Sequence, residues 1–120
     1  MSLPLTPRIL AGAYEYLRTT PPFHRWKLPP AEEVEFNVLQ TKLLEADHTT
    51  YERTNDHVIR VSAGKIGFTS NLMPAMAHEM IHARQVIAKT ETPNTTHNAE
   101  FHRLAKLVCR YHGWDYKLFV

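Results

Sequence analysis

Two histidines near the middle of the chain have the spacing that metal ligands show on a helix. His78 and His82 stand four residues apart within AHEMIHARQ (77–85), and Glu79 directly follows the first of them. On a helix these two imidazoles lie on one face and can bind one ion together. In HExxH peptidases the two histidines bind zinc, and the glutamate acts as general base on a water molecule. The alternative is an ordinary packed pair of histidines beside a surface glutamate.

A catalytic zinc ion takes three protein ligands and keeps its fourth position for water, so a third ligand is needed. His97 is the favoured candidate, because it shares a helical face with Phe101 and Leu104 and should project toward the core. Glu100 is the competing candidate, although the helix dipole alone explains an acid in the first turn of a helix. His102 lies about 140° around the helix from His97 and should point elsewhere.

Three helices are expected to position these residues. Their apolar residues recur at helical spacing over residues 7–19, 72–89 and 97–112. The expected N-caps are Thr6 for the first helix, Asn71 for the second, and Thr95 or Thr96 for the third. Gly113 is expected to adopt the left-handed conformation that ends the third helix.

A small sheet is expected between the first and second helices. The segment VEFNVLQ (34–40) alternates apolar and polar residues, as a half-buried strand does. Residues 46–63 contain two β-branched runs around TND (54–56), which predicts a hairpin. We therefore expect an α+β fold with three main helices and a small, mostly antiparallel sheet of three or more strands. The apolar segment WDYKLFV (114–120) is expected to pack back onto the domain as a strand or extended arm.

The composition is that of one globular domain covering residues 1–120. Apolar residues make up 43% and charged residues 22% of the chain, which suggests neither disorder nor a fibrous repeat. The formal charge of +2 neither requires nor excludes a nucleic-acid partner. The single cysteine, Cys109, rules out an intramolecular disulfide and a zinc ribbon built from paired CxxC motifs. No apolar run is long enough for a signal peptide or a membrane span, so we expect a cytoplasmic or nucleoid-associated monomer without membrane contact.

The two histidine motifs together resemble the SprT-like metallopeptidase domain of bacterial SprT proteins and of the DNA-repair protease Spartan. That domain has HExxHA followed by HGxxF or HGxEF, and this chain has HEMIHA (78–83) followed by HNAEF (97–101). The order of the upstream elements is also similar, so the resemblance covers most of the chain. It implies a zincin-like fold with one catalytic Zn²⁺ ion. The implied site residues are the ligands His78, His82 and His97 and the catalytic acid and base Glu79.

Two departures from the SprT-like pattern bear on the site. Asn98 stands where the family usually has glycine. Asparagine tolerates left-handed backbone angles better than other side chains, so the loop is expected to keep its shape. The sequence also lacks the cysteine-rich zinc module and the long partner-binding tail of larger relatives, so we expect a minimal form of the domain.

The resemblance implies a zinc-dependent metalloendopeptidase that hydrolyses peptide bonds of proteins, including DNA-associated or DNA-crosslinked proteins. An exposed strand edge at HVIRVSA (57–63) would hold extended substrate by backbone pairing. Two groups of side chains are candidates for contact with single-stranded or junction DNA. They are Arg25, Trp26 and Lys27 in FHRWK, and Arg103, Lys106 and Arg110 on one face of the third helix. The alternatives are a loop whose aromatic side chains close the core, and a solvated helix face.

Two other functions fit the same residues. A non-catalytic zinc-containing DNA-binding or interaction module would hold the ion but close its fourth position with Glu100 or His102. A peptidase of another HExxH lineage would use Glu100 in place of His97. Substituting His97 and Glu100 separately and measuring zinc content would distinguish these possibilities.

Overall fold

The computed structural model describes residues 5–39, 46–51, 56–62, 69–95 and 97–119. The elements, in chain order, are the helix α1 (Pro7–Arg18), the strands β1 (Val34–Leu39), β2 (Ala46–Tyr51) and β3 (Asp56–Ser62), and the helices α2 (Thr69–Ala88), α3 (Ala99–His112) and α4 (Tyr116–Phe119). Single turns of 3₁₀ helix cover Phe23–Arg25 and Ala31–Glu33. The α+β class and the three main helices are thus confirmed. None of the described helices is long and apolar enough to cross a membrane.

The start of α1 follows the predicted capping pattern. The Ile9 N–H donates a hydrogen bond to the Thr6 hydroxyl at 3.2 Å. Pro7 occupies the first helical position, where a missing N–H costs nothing. The helix buries one face, formed by Leu10, Ala13, Tyr14 and Leu17. This face anchors α1 to the rest of the domain, since α1 contacts both α2 and β1.

The three strands form a mixed sheet in the order β1-β3-β2. β1 and β3 pair in parallel, from Val34 opposite His57 to Leu39 opposite Ser62. β2 and β3 pair antiparallel. The expectation of a mostly antiparallel sheet is therefore wrong, because one of the two described pairings is parallel. The cause is topological: β3 returns from β2 and inserts between β1 and β2, so it runs in the same direction as β1.

The central position of β3 affects two sequence-based predictions. Its pairing with β2 agrees with the predicted hairpin, whose tip at residues 52–55 lies outside the described residues. Both edges of β3 pair with neighbouring strands, so the prediction that HVIRVSA offers a free edge to substrate is wrong. Alternating side chains identify a strand but do not define its place in a sheet. The outer strands of the described sheet are β1 and β2.

The helix α2 is central to the domain and contacts α1, α3, α4 and β2. It begins at Thr69, so the prediction that Asn71 caps it is wrong. Asn71 is a residue type that caps helices, but Thr69 and Ser70 before it are already helical, so residue type alone misplaces the start. Pro74 consequently lies inside the helix and not in its first turn. The fully buried residues of α2 include Leu72, Met76, Ala77, Met80 and Ile81.

The helix α3 begins with an asparagine cap. The Phe101 N–H donates to Oδ1 of Asn98 at 2.9 Å, so the prediction that Thr95 or Thr96 caps this helix is wrong. Asn98 has φ −77° and ψ −177°, and the expected left-handed conformation is also wrong. The extended backbone follows from the capping role of Asn98, because an N-cap residue is not in the left-handed conformation. At the other end, Gly113 has φ 73° and terminates the helix as predicted.

The C-terminal segment folds back as a helical turn, and not as the predicted strand or extended arm. The Asp115 carbonyl accepts hydrogen bonds from the N–H groups of Leu118 and Phe119, each at 3.1 Å. The Asp115 carboxylate accepts another from the Lys117 N–H at 2.9 Å. These local bonds replace the partner strand that an extended arm would need. Phe119 is buried and stacks on Trp114, with ring centroids 5.9 Å apart.

The proline-rich segment between α1 and β1 closes one end of the core. Phe23 and Trp26 are buried and meet edge to face, with ring centroids 4.9 Å apart. The Arg84 guanidinium on α2 donates to the Trp26 carbonyl at 2.9 Å and joins this segment to the central helix. The structure therefore agrees with the alternative in which these aromatic residues close the core. The Trp26 side chain is left with little surface to offer a nucleic-acid base.

The burial of Trp26 can be tested by stability measurements. We expect Trp26→Ala to lower the free energy of unfolding by about 3 kcal/mol, because it removes a large buried ring and leaves a cavity. Urea denaturation followed by circular dichroism measures this change. The neighbouring Arg25 is exposed, so Arg25→Ala should change the free energy by less than about 0.5 kcal/mol. Equal stabilities of the two variants would contradict a core role for Trp26.

Candidate metal centre

Three imidazoles converge between α2 and α3. Each of His78, His82 and His97 offers one ring nitrogen that could bind a metal ion, and these three atoms all lie within 4.8 Å of one another. The ring centroids are 5.2 Å apart for His78 and His82, 5.0 Å for His78 and His97, and 5.3 Å for His82 and His97. The three rings thus form a nearly equilateral triangle. Such a group can hold a metal ion.

The helix α2 supplies two corners of this triangle. His78 and His82 are one turn apart, as the helical period requires. The opposite side of the helix is packed into the core, since Met76 and Met80 are fully buried. This packing fixes the rotation of α2 about its axis. Both histidines therefore face α3.

His97 supplies the third corner from the loop before α3. It is not part of the helix, but its ring stacks on Phe101 with centroids 4.0 Å apart and planes inclined by 4°. The predicted pairing with Phe101 is present, although it arises from a loop residue and not from the first helical turn. Phe101 is fully buried and also contacts the other two rings, at 4.8 Å from His82 and 5.1 Å from His78. One aromatic side chain therefore packs against all three imidazoles.

A backbone carbonyl from α4 orients His78. Its Nδ1 lies 3.2 Å from the Phe119 carbonyl oxygen. A carbonyl can only accept a hydrogen bond, so Nδ1 carries the proton and Nε2 keeps its lone pair. Metal-binding histidines usually donate their second ring N–H to a carbonyl or carboxylate in this way. The Phe119 side chain also packs near the site, with its ring centroid 5.7 Å from that of His78.

Burial lowers the pKa of all three imidazoles. For His82, burial and then the neighbouring rings of His78 and His97 lower the pKa to about 4. For His78, burial lowers the pKa by more than the hydrogen bond to the Phe119 carbonyl raises it. Burial is also the main cause of the lowered pKa of His97, followed by the nearby His102. All three rings are therefore neutral near pH 7, which is the form that binds metal.

The donor set fits a borderline metal such as zinc. Three imidazole nitrogens, two from successive turns of α2 and one from the loop before α3, can occupy three corners of a tetrahedron, the arrangement of catalytic zinc sites with one open position. Among the described residues, the ligand group comprises these three histidines and does not include Glu79, Glu100 or His102.

Glu79 follows His78 on α2 and is only 5% exposed. Carboxylates are rarely so deeply buried in proteins. The Glu79 side chain lies about 100° around the helix axis from His78, so it projects in a different direction from the two histidines. Its role in catalysis stays a prediction from the HExxH pattern.

The competing ligand Glu100 has other partners. Its Oε1 accepts a hydrogen bond from the Gln85 side chain at 3.0 Å, and its Oε2 lies 3.6 Å from the Arg103 guanidinium. His102 is also engaged, because its Nδ1 forms a hydrogen bond with the Tyr116 hydroxyl. Its ring centroid lies 6.2 Å from that of His97.

Sequence reasoning missed three contributors to the site. Gln85 is 1% exposed, and its amide donates to Oδ1 of Asn98 at 2.9 Å. A glutamine on a helix is ordinary, and no sequence signal distinguishes this one. Asn98 was considered only as a substitute for glycine. The Phe119 carbonyl is a backbone group that every residue type has, so the sequence does not indicate that this one orients His78.

The candidate DNA-contacting residues lie in two separate elements. Arg25 and Lys27 are exposed in the segment after α1, beside the buried Trp26. The second group, Arg103, Lys106 and Arg110, is exposed along α3. Within that group, Arg103 approaches Glu100, and the Lys106 ammonium lies 5.4 Å from the centroid of the Tyr116 ring. Contact with DNA stays a prediction for both groups.

No protein-family model and no curated protein sequence matches this chain. The assignment of chemistry to the site therefore depends on its geometry and on the two motifs.

Zinc binding distinguishes the candidate ligands. We expect His97→Ala to lower zinc affinity by at least about 100-fold, because it removes one of three nitrogen donors. Glu100→Gln should keep the affinity of the parent protein, since the amide oxygen can still accept the hydrogen bond from Gln85. Competition with a chromogenic chelator measures both values. A larger loss for Glu100→Gln than for His97→Ala would assign the third ligand to Glu100.

Proposed function

We propose that the chain is a zinc-dependent metalloendopeptidase of the SprT-like kind, which hydrolyses peptide bonds of protein substrates. The observation that carries this proposal is the convergence of three imidazoles, with ring nitrogens within 4.8 Å of one another and two of the rings on the HExxH helix. Three protein ligands leave a tetrahedral zinc ion one position for water or substrate. The proposal also accounts for the nearly complete burial of Glu79, which a surface glutamate would not show.

Glu79 is proposed as the catalytic acid and base. Zinc bound by the three histidines would polarise the scissile carbonyl and lower the pKa of a water molecule. Glu79 then takes a proton from the attacking water and delivers it to the leaving amine. Glu79 directly follows His78 and projects in a different direction from the histidines. This position favours a role in proton transfer with a water molecule over a role as metal ligand.

Substrate would bind in extended form along an outer strand. β3 is paired on both sides, which leaves β1 and β2 as outer strands of the described sheet. β2 contacts α2, the helix that carries the HExxH motif, so it is the better placed of the two. Backbone hydrogen bonds between a substrate strand and β2 would bind the peptide largely independently of its side chains. This mode suits a peptidase with varied protein substrates.

The proposed substrate class is DNA-associated or DNA-crosslinked protein. Support comes from the resemblance of HEMIHA and HNAEF to the SprT-like motifs and from the exposed basic residues of α3. Arg103, Lys106 and Arg110 are spaced so that they can meet successive phosphates along one helix face. These residues lie on the side of α3 opposite Phe101, so DNA held there would leave the metal centre between α2 and α3 open to a protein attached to the DNA.

The role of Glu79 is tested by Glu79→Gln. We expect the variant to keep its zinc while the rate of casein cleavage falls at least about 100-fold, because only the proton-transfer group is lost. Metal content and cleavage are measured on the same preparation. Glu91 is an exposed glutamate in the loop after α2, and Glu91→Gln should cleave like the parent. Cleavage by Glu79→Gln at the parent rate would refute the assignment, and zinc binding without any cleavage by the parent would favour a non-catalytic module.

DNA contact by α3 is tested through its salt dependence. We expect Lys106→Gln/Arg110→Gln to bind single-stranded DNA more weakly and to reduce the slope of log affinity against log salt by about 1.4, since each phosphate contact contributes about 0.7. Arg8 and Lys89 are exposed elsewhere, so Arg8→Gln/Lys89→Gln is a charge-matched control that should keep the parent slope. Fluorescence anisotropy provides both values. Absence of binding by the parent at low salt would remove DNA from the proposal.

A further inference from the structure

A buried glutamine joins the two helices that carry the histidines. Gln85 on α2 is 1% exposed, and its side-chain amide donates two hydrogen bonds across to the start of α3. The acceptors are Oδ1 of Asn98 at 2.9 Å and Oε1 of Glu100 at 3.0 Å. A buried amide that lost these partners would be strongly disfavoured. The separation of α2 and α3 is therefore restricted at this point.

Asn98 is the centre of this hydrogen-bond network. Its Oδ1 accepts from Gln85 and also from the Phe101 N–H, each at 2.9 Å. Its Nδ2 donates to the Thr90 carbonyl at 3.1 Å. One side chain thus connects α2, the segment that follows α2, and the first turn of α3. Such a fully engaged amide has a defined orientation.

Both amides lie next to metal ligands. Gln85 follows His82 by three residues on α2, and Asn98 directly follows His97. The hydrogen bond from Gln85 to Asn98 therefore connects α2 with the loop before α3, the same two segments that an ion bound by His82 and His97 would connect. Phe101, whose N–H is held by Asn98, stacks on the His97 ring.

We propose that Gln85 and Asn98 are positioning residues of the metal centre. Their hydrogen bond holds the loop that carries His97 at the correct distance from α2 before an ion binds, although neither side chain is a ligand. This inference rests on the proposed function of the three histidines. A site that is already assembled loses less conformational freedom on binding and so binds more tightly. The SprT-like pattern has glycine at the position of Asn98, and glycine has no side chain to form this bond.

Two variants separate positioning from helix capping. Gln85→Met keeps a side chain of similar length but removes the amide, and the Asn98 cap stays intact. Asn98→Ser keeps a capping hydroxyl, but its side chain is too short to reach Gln85. We expect each variant to lower zinc affinity roughly 10- to 100-fold, as removal of outer-shell partners of metal ligands does. Zinc affinity is measured for the metal-free protein by competition with a chromogenic chelator.

The double variant shows whether the two residues act through one interaction. If they do, Gln85→Met/Asn98→Ser should bind zinc no more weakly than the weaker single variant. Asn98→Asp keeps both the cap and an acceptor within reach of Gln85, and both Asn98→Asp and Asn98→Ser lose the hydrogen bond to the Thr90 carbonyl. Asn98→Asp should therefore recover the part of the affinity that depends on Gln85. The visible absorption of bound Co²⁺, which is intense in tetrahedral sites, should weaken in Gln85→Met and Asn98→Ser and return in Asn98→Asp.

A control variant accounts for general loss of stability. The Tyr14 hydroxyl donates to the Pro29 carbonyl at 2.6 Å, on the side of the domain formed by α1. Tyr14→Phe removes this hydrogen bond and should lower the melting temperature while zinc affinity stays within about twofold of the parent, since the two regions share no hydrogen-bond partners.

The outcomes distinguish this inference from the proposed function. Parent-like zinc affinity in both folded single variants would overturn the inference and leave the zinc peptidase proposal standing. No zinc binding by the parent protein would overturn both. If Gln85→Met does not fold, the comparison of Asn98→Ser with Asn98→Asp still decides, because equal affinities of these two capped variants contradict a role for the bond to Gln85.

Discussion

The packing of Phe101 against three imidazoles is the contact on which the site depends. Its ring lies at 4.0, 4.8 and 5.1 Å from those of His97, His82 and His78. An apolar wall of this kind keeps water from one side of the histidines and so favours their neutral form. The rest of the fold supports this contact: α1 and β2 pack against α2, while Asn98 and the Phe101 N–H define where α3 begins. The site is thus a property of the interface between α2 and α3.

Features set by neighbouring residues were predictable from the sequence, and features set by distant contacts were not. The Thr6 cap and the left-handed Gly113 each depend on a few consecutive residues, and both predictions are confirmed. The direction of β1 relative to β3 depends on where a hairpin inserts, which alternation of side chains does not encode. The starts of α2 and α3 were misplaced because residue types that favour a helix cap also occur away from the cap position. The cap of α3 is Asn98, whose side chain also accepts a hydrogen bond from Gln85 on α2, and residue types near the start of α3 do not reveal this contact.

The site also combines features set by neighbouring residues with features set by distant contacts. The spacing of His78 and His82 follows from the helical period and needs no tertiary information. His97 was predicted from its pairing with Phe101, and the structure brings these rings together although His97 precedes the helix. The side chains that surround the histidines depend on how α2, α3 and α4 meet. The segment FHRWK shows the limit of composition, because its residue types are typical of nucleic-acid contact although its tryptophan is buried in the core.

The hydrogen bond between His78 and the Phe119 carbonyl spans 41 positions of the chain. During synthesis the HExxH helix leaves the ribosome first, the loop with His97 follows, and the orienting carbonyl comes last. A nascent chain therefore carries all three imidazoles before it can align the first of them. His78 is therefore aligned only after the segment that carries Phe119 has been made and has packed against α2.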